Sequence, residues 1–399
     1  MQIAFFTDSY LPTRDGTAVV VNGLARGLLR LGHRIRIYAP RPGAGPTEVR
    51  EEEGIEVVRV RSHAVPLYHI YRWPYAVSLL RAVRASGSTK DADVVHVHTP
   101  GLVGTAGFFL ARRAGCPLIG TFHTDLSAMR ESVRAKAGVS IFFRLASWYS
   151  LGVYWRCDRT VAPTSLARSR MMETATKPFD VPIEVVPNGI DLDRFHPGIA
   201  QPDWRARCGL ADGPLVTYLG RLTVDKGVHR FLDAISTLGE RSDLRAIVAG
   251  QGPEETAVRA RLARDPNLRQ RVRYVGPIAE EEKPALLAQS DLFVLPSTSD
   301  TSSIALLEAM ACGTAVVGPA HGGPAELVQD RVTGRKASML EGGALATTIR
   351  ELLEDPAERR AVAARGREFV RANASVDAMA ARYAAIYSEL VARRLGTRS

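Results

Sequence analysis

The chain has 399 residues, 46% of them hydrophobic and 24% charged, which suits two or three globular domains. That composition excludes a disordered tail, a collagen-like repeat and a small disulfide scaffold. The formal net charge is +10, and residues 1–200 hold 25 basic against 17 acidic residues, so most of the excess lies in the first half and should attract an anionic partner.

Residues 2–7 predict a buried strand. Residues 18–31 have helical spacing, with Val20, Leu24, Leu28 and Leu31 on one face. Gly32-His33 ends that helix, and residues 34–39 predict the next strand. Further strands are expected at 57–61, 94–98, 117–122, 160–163 and 183–187, with a helix at 103–113. Repeated strand–helix–strand units imply a parallel sheet covered by helices. The turn Asn188-Gly189-Ile190-Asp191 and the break Phe195-His196-Pro197 place a domain boundary near 190–200. The second half repeats the scheme. Its strands are expected at 214–219, 244–250, 272–275, 292–296, 315–317 and 334–337, its helices at 228–238, 254–263, 280–289 and 304–311, and a mostly helical tail at 344–394. Two such units would place a crevice at the carboxyl ends of their strands. Cys116, Cys157, Cys208 and Cys312 form no CxxC pair, which argues for reduced thiols rather than a zinc ribbon. The opening residues lack a basic-then-apolar leader and no run of 18 apolar residues occurs, so a cytoplasmic protein without a spanning helix is expected.

Several stretches carry candidate chemistry. Asp8 and Tyr10, then Asp15-Gly16-Thr17, link the first strand to the first helix. Gly16 lets the backbone approach a ligand, and a helix N-terminus offers N–H groups to an anion; the plainer alternative is a turn. Gly220-Arg221-Leu222-Thr223-Val224-Asp225-Lys226-Gly227 sits in a strand–loop–helix turn, where a guanidinium fork and an ammonium suit a diphosphate. A solvated basic loop is the alternative. Asp300 ends a loop after a strand, and Glu308 lies on an apolar helix, where a carboxylate is costly to bury unless paired. Ligand hydroxyls suit both acids, and Ser302-Ser303 at the helix start suit a phosphate. Alternatively Asp300 or Ser302 is an N-cap and Glu308 faces solvent. His123 leaves an N-terminal strand, either aimed into the crevice or held as a structural histidine. His96 and His98 share a strand face without a third ligand, so no metal is expected. Residues 141–156 mix Phe142, Phe143, Trp148, Tyr149, Tyr154 and Trp155 with Arg144 and Arg156, as in a helix on an anionic membrane or a buried helix with snorkelling arginines. Residues 68–75 form a second aromatic-basic patch, a candidate acceptor loop.

Taken in order, the motifs resemble the retaining nucleotide-sugar glycosyltransferases of family 4. The resemblance rests on Gly220-Arg221…Lys226-Gly227 and on Asp300…Leu307-Glu308-Ala309-Met310-Ala311-Cys312-Gly313. Val186-Pro187-Asn188-Gly189-Ile190-Asp191, Ala249-Gly250-Gln251-Gly252-Pro253-Glu254, and the opening Pro12…Gly16 with Leu31-Gly32-His33 also carry it. It covers nearly the whole chain and implies the α/β GT-B fold: a Rossmann-like acceptor domain at 1–194, a Rossmann-like donor domain at 195–375, and a helix at 376–399 crossing back to the first domain.

The resemblance implies that Arg221 and Lys226 bind the donor diphosphate, with Gly16 and Thr17 beside it. His123 would stand by the anomeric centre, Asp300 on sugar hydroxyls and Glu308 on the ribose. The backbone of Thr301, Ser302, Ser303 and Ile304 would meet the diphosphate and sugar, with Gly250 and Pro277 also on the donor side. Asp8, Tyr10, Asn22, His98 and Asp125 would face the acceptor. Asp300 stands where the family has Glu, and Ser302-Ser303 where it has Phe-Gly, which leaves donor identity open. The Asp300-Thr301 pair and the Phe122-His123-Thr124 run match members that glycosylate lipids or phosphoinositides. The implied reaction moves a hexose from a GDP-mannose or UDP-glucose type donor to a lipid, phosphoinositide or glycan hydroxyl with retention, without a separate cofactor or a metal. The enzyme would be cytoplasmic, with peripheral contact to an anionic membrane. Rival readings are a glycogen-synthase-like polymerase, a nucleotide-sugar epimerase and an inactive sugar-binding relative. No recognised nucleic-acid motif accompanies the charge, so nucleic acid is not an expected partner.

Overall fold

The structure is a computed structural model that describes residues 1–13, 15–65, 68–85, 91–123, 137–174, 180–239, 243–298, 300 and 302–396. The chain forms two compact units, Met1–Gly189 with Val376–Ser399, and Ile190–Ser375.

In the first unit the strands are β1 (Gln2–Phe6), β2 (Arg34–Pro40), β3 (Glu48–Glu52), β4 (Ile55–Val60), β5 (Ser62–Val65), β6 (Tyr68–Pro74), β7 (Val94–Val97), β8 (Leu118–Thr121), β9 (Arg159–Ala162) and β10 (Ile183–Val185). Eight of them form one sheet in the order β10-β9-β8-β7-β1-β2-β4-β3, parallel except for β3 at the edge. The helices are α1 (Gly16–Arg30), α2 (Ala76–Ala85), α3 (Leu102–Ala114), α4 (Ala137–Tyr154) and α5 (Ser165–Thr174). Helix α1 starts where Asp15 accepts from the amide of Ala18 at 2.8 Å. Its Val20, Val21, Leu24 and Leu28 are buried, each contributing about 1.5–3 kcal/mol of apolar burial. Helices α2 and α5 and strand β5 were not foreseen, and two further features depart from the sequence reading. Strand β3 is a charged edge strand, Glu-Val-Arg-Glu-Glu, with no apolar period to reveal it. Residues 68–74 form the second strand of a separate β5–β6 hairpin rather than a loop.

The second unit carries β11 (Leu215–Leu219), β12 (Arg245–Ala249), β13 (Val272–Gly276), β14 (Leu292–Val294), β15 (Ala315–Pro319) and β16 (Arg335–Ala337), all parallel, in the order β13-β12-β11-β14-β15-β16. Helices longer than one turn are α6 (Val228–Thr237), α7 (Glu255–Arg264), α8 (Pro266–Arg271), α9 (Lys283–Ala288), α10 (Ile304–Ala311), α11 (Ala344–Glu354) and α12 (Pro356–Asn373). Continuous apolar runs such as Ala246–Ala249 and Phe293–Leu295 are buried on both faces, as helix-covered parallel strands must be.

The last helix, α13 (Val376–Gly396), belongs to the first unit and lies along α1. Gly27 allows the approach, because a Cβ there would stand 2.7 Å from the Ala380 Cβ. Polar ties hold it further: Arg30 to Asp377 at 2.6 Å and Arg159 to Glu389 at 2.8 Å. Among the described residues no helix is long and apolar enough to cross a membrane.

Candidate active site

The carboxyl ends of the parallel strands in the second unit gather most of the predicted donor residues. Strand β11 runs into Gly220, whose amide donates to Ala249 O at 3.1 Å, while Leu222 N donates to Gln251 O at 2.9 Å. The loops after β11 and β12 are thereby joined. Gly250 has φ +133°, and a Cβ on it would lie 1.8 Å from Gly220 O, so only glycine fits. Gly227, at φ +76°, starts α6 hard against Pro296, whose oxygen would lie 2.2 Å from an added Cβ. The loop after β14 is thus held against the loop carrying Arg221 and Lys226. Arg221 is exposed, whereas Lys226 forms an ion pair with Asp300, both side chains largely shielded. Sequence reading assigned these two groups to a ligand and did not foresee that they pair with each other.

Asp300 is fixed at its backbone, where its carbonyl accepts from Gly323 N at 3.1 Å. Ser303, not Asp300 or Ser302, caps α10, its side chain accepting from Leu306 N at 3.4 Å. Ser302 and Ile304 flank that cap and are half-buried; Thr301 lies outside the described residues. Glu308 does not face solvent. It is buried on α10, and no hydrogen bond reaches its side chain among the described residues. Burial pushes its carboxyl above the ordinary range, opposed by Lys283 and Arg194 and reinforced by Glu280. Those three surrounding charges carried no signal in the sequence. Pro277 follows β13 and is exposed.

In the first unit, the ends of β1, β7 and β8 bring together Asp8, His98 and His123. Asp8 Oδ1 accepts from Val103 N at 2.8 Å, and its Oδ2 from Thr99 Oγ1 at 2.9 Å, so the carboxylate caps α3. Burial raises its pKa, and the Val103 amide and Thr99 hydroxyl pull it back. Tyr10 is buried and donates to Asn22 Oδ1 at 3.0 Å, under Arg59 at 5.1 Å from its ring centre. A cavity of about 20 Å3 beside Asp8 and Tyr10, with Arg72 on its wall, has room for one water. Gly16 and Thr17 form the first turn of α1, with Gly16 exposed. Asp125 lies outside the described residues.

The histidines form one stack. His98 is fully buried and its Nδ1 stands 3.1 Å from His123 Nε2, one proton serving both. His98 Nε2 is buried without a partner. His96 lies 3.8 Å from His98 between ring centres and is held by Tyr387 Oη and Thr121 Oγ1, each at 2.7 Å. Tyr383 reaches the same Thr121 hydroxyl at 2.9 Å. Helix α13 therefore finishes the histidine cluster, a link of 291 residues that no local pattern reveals. Burial keeps all three imidazoles neutral: His123 is brought down to about 4, and His96 and His98 well below their usual value.

Comparison with known proteins assigns the chain. Residues 14–194 match Glycosyltransferase Family 4, and residues 201–369 match Glycosyl transferases group 1. The GDP-mannose-dependent alpha-mannosyltransferase of Mycolicibacterium smegmatis is 30% identical over 84% of this chain and 84% of its own. The chain is a family 4 glycosyltransferase. The D-inositol 3-phosphate glycosyltransferase of Xylanimonas cellulosilytica is 30% identical over 95% of this chain and 93% of its own. The alpha-monoglucosyldiacylglycerol synthase of Streptococcus pneumoniae is 27% identical, over 84% and 74%. Among solved structures, sucrose-phosphate synthase from Thermosynechococcus elongatus superposes with TM-score 0.77 at 22% identity, covering 98% of this chain and 99% of its own. HepE of Anabaena in complex with UDP gives 0.75 at 20%, covering 98% and 100%. These likenesses carry the fold: this glycosyltransferase has the α/β GT-B architecture. It is an enzyme, a hexosyltransferase whose donor is a nucleotide sugar.

Proposed function

We propose that this glycosyltransferase moves a hexose from GDP-mannose or UDP-glucose to a hydroxyl of a lipid, phosphoinositide or glycan acceptor, with retention at the anomeric carbon. One observation carries the donor side: Arg221, Lys226 and Asp300 stand on loops at one end of a single parallel sheet, and Glu308 on the helix α10 that follows one of those loops. Arg221 and Lys226 compensate the diphosphate as the bond from the anomeric carbon to its oxygen breaks. The new bond forms to the acceptor oxygen, and the acceptor proton passes to the leaving phosphate. The charge at the site is supplied by these side chains and the α10 amides, without a separate cofactor. Entry of the diphosphate draws Lys226 away and frees Asp300 for sugar hydroxyls. Glu308, buried without a partner, suits the ribose hydroxyls. His123, uncharged at neutral pH, suits a position beside an anomeric centre that gains positive charge. The acceptor class follows the relatives, named for mannosyl transfer, inositol 3-phosphate and a glucosyl diacylglycerol.

A cytoplasmic enzyme resting on an anionic membrane fits this acceptor. Support comes from α3 and α4, which expose Phe109, Leu145 and Trp148 at 65%, 61% and 64%, with Arg112, Arg113, Arg144 and Arg156 on the same two helices or just beyond them.

Nucleotide release from GDP-mannose and UDP-glucose, each with a lipid, an inositol phosphate and a glycan acceptor, tests the reading. Asp300→Ala should lower transfer by about two to three orders of magnitude while donor binding persists through the unpaired Lys226. Release from neither donor by the intact chain would defeat the proposal.

A further inference from the structure

The second unit holds another basic site, at the opposite end of its sheet. Arg245 opens β12 and Arg273 is the second residue of β13, whereas Gly250 and Pro277 follow the other ends of those strands. Five residues of strand separate the two ends, roughly 16 Å. There a cavity of about 240 Å3 is lined by Arg245, Gln270, Arg271, Arg273, Gly209 and Leu210, together with Ala211. Register explains the grouping. Arg273 pairs with Ile247, two residues along from Arg245, so both arginines leave the same face of the sheet. Arg271 joins them from the end of α8, buried to 8% exposure.

The guanidiniums are held by backbone oxygens. Arg271 Nη1 donates to Leu238 O at 3.3 Å, and its Nη2 donates to Gly239 O, both just past α6. Arg273 Nε donates to Cys208 O at 3.3 Å and its Nη1 to Arg269 O at 3.0 Å, and Arg245 Nη1 donates to Leu244 O at 3.0 Å. Neither Arg271 nor Arg273 meets a carboxylate among the described residues. Carbonyls orient Arg271 and Arg273 but leave their charge in place, since a helix end offers only about half an elementary charge. Like charges on one cavity wall repel each other, and withdrawing the Arg271 guanidinium from water costs free energy unless an anion answers it. Guanidinium forks match phosphate oxygens two at a time. The space is about twelve times that of the one-water cavity beside Asp8, enough for a small phosphorylated molecule and too little for a polymer.

We propose that this cavity is a second anion site, which takes the phosphate or diphosphate group of a small molecule. The site stands apart from the donor loops, and the proposal does not depend on the transfer reaction proposed above.

The test uses the full chain carrying Arg221→Gln and Lys226→Gln, so that the donor loop no longer holds phosphate. Inorganic pyrophosphate and glucose 6-phosphate are titrated separately by calorimetry. At least one should bind in a 1:1 ratio, and adding Arg245→Gln with Arg273→Gln should weaken it about tenfold or more. Binding of pyrophosphate alone assigns a diphosphate ligand and binding of glucose 6-phosphate alone a sugar phosphate, either of which supports the site. Arg271 stays intact because it braces the end of α6. Arg273→Lys keeps the charge without the fork and should give an intermediate loss, which serves if the double substitution unfolds the chain. Binding of neither probe, or binding that ignores these substitutions, overturns the proposal. In the otherwise native chain, Arg245→Gln with Arg273→Gln should leave nucleotide-sugar turnover within about twofold, and a parallel loss of turnover would deny the site its separateness.

Discussion

Glu308 is ionised at neutral pH only at a cost, because it is buried and no described residue gives its carboxylate a hydrogen bond. Its folded pKa lies above its unfolded value, so the protein is most stable with respect to this group below that unfolded value and loses stability as pH rises through the folded one. Glu308→Gln should therefore stabilise the fold and raise the thermal midpoint at pH 7, and the gain should vanish in acid. The same change should weaken nucleotide-sugar binding about tenfold, because an amide replaces a charged acceptor of ribose hydroxyl bonds. Calorimetric unfolding and donor titration check the two halves, and a variant that gains neither stability nor a donor defect sinks the assignment. Lys226 and Asp300 teach a related lesson. Each was expected to be a ligand-binding residue from its motif, but their ion pair spans 74 positions and needed the fold to appear. The cap of α10 was missed: the sequence pointed to Asp300 or Ser302, and the structure uses their neighbour Ser303.

At the scale of elements, α1, α3 and most second-unit helices were legible from apolar residues every three to four positions and the central strands from short continuous apolar runs, whereas α2, α5 and α8 were not foreseen. Strand β3 was not, because its partner β4 and its edge place, rather than its own pattern, make it a strand. The hairpin β5–β6 was hidden for a similar reason: its aromatic and basic residues suggested a binding loop. Helix α4 was open between two fates, buried or facing a membrane. Its exposed Leu145 and Trp148, with Phe109 on α3, form an unburied apolar face beside arginines. The two helices touch where the Tyr149 and Thr105 hydroxyls meet. Leu145→Ser with Trp148→Ser should cut the fraction of protein pelleting with phosphatidylglycerol vesicles severalfold, and raised salt should release the native chain. Equal pelleting with uncharged phosphatidylcholine vesicles, or no effect of the pair, would remove the membrane from the account.

For the whole molecule, the buried histidines set a pH limit. His96 and His98 are neutral in the folded chain, with pKa values well below 6.5, while the unfolded chain protonates them near that value. Below pH 6.5 the unfolded state therefore binds more protons, and stability falls as pH drops. Each of the two should cost about 1.4 kcal/mol per pH unit in that window. The thermal midpoint should decline steeply from pH 6.5 towards 5, and Tyr387→Phe, which removes a partner of His96, should lower it at neutral pH as well. A midpoint flat across that range would show that the cluster accepts protons without loss.

The sequence alone determined the α/β class, two successive parallel-sheet units, the order of the motifs and the family. Those properties are written in local periodicity, turn residues and short runs that the chain carries wherever it folds. Tertiary structure decided which charges cancel, which stay exposed and which acid is buried. It paired Lys226 with Asp300, closed the histidine stack with tyrosines from α13, and grouped Arg245, Arg271 and Arg273 around one cavity. Each of those outcomes depends on strand register and helix docking, which bring together groups that are remote or unpatterned along the chain.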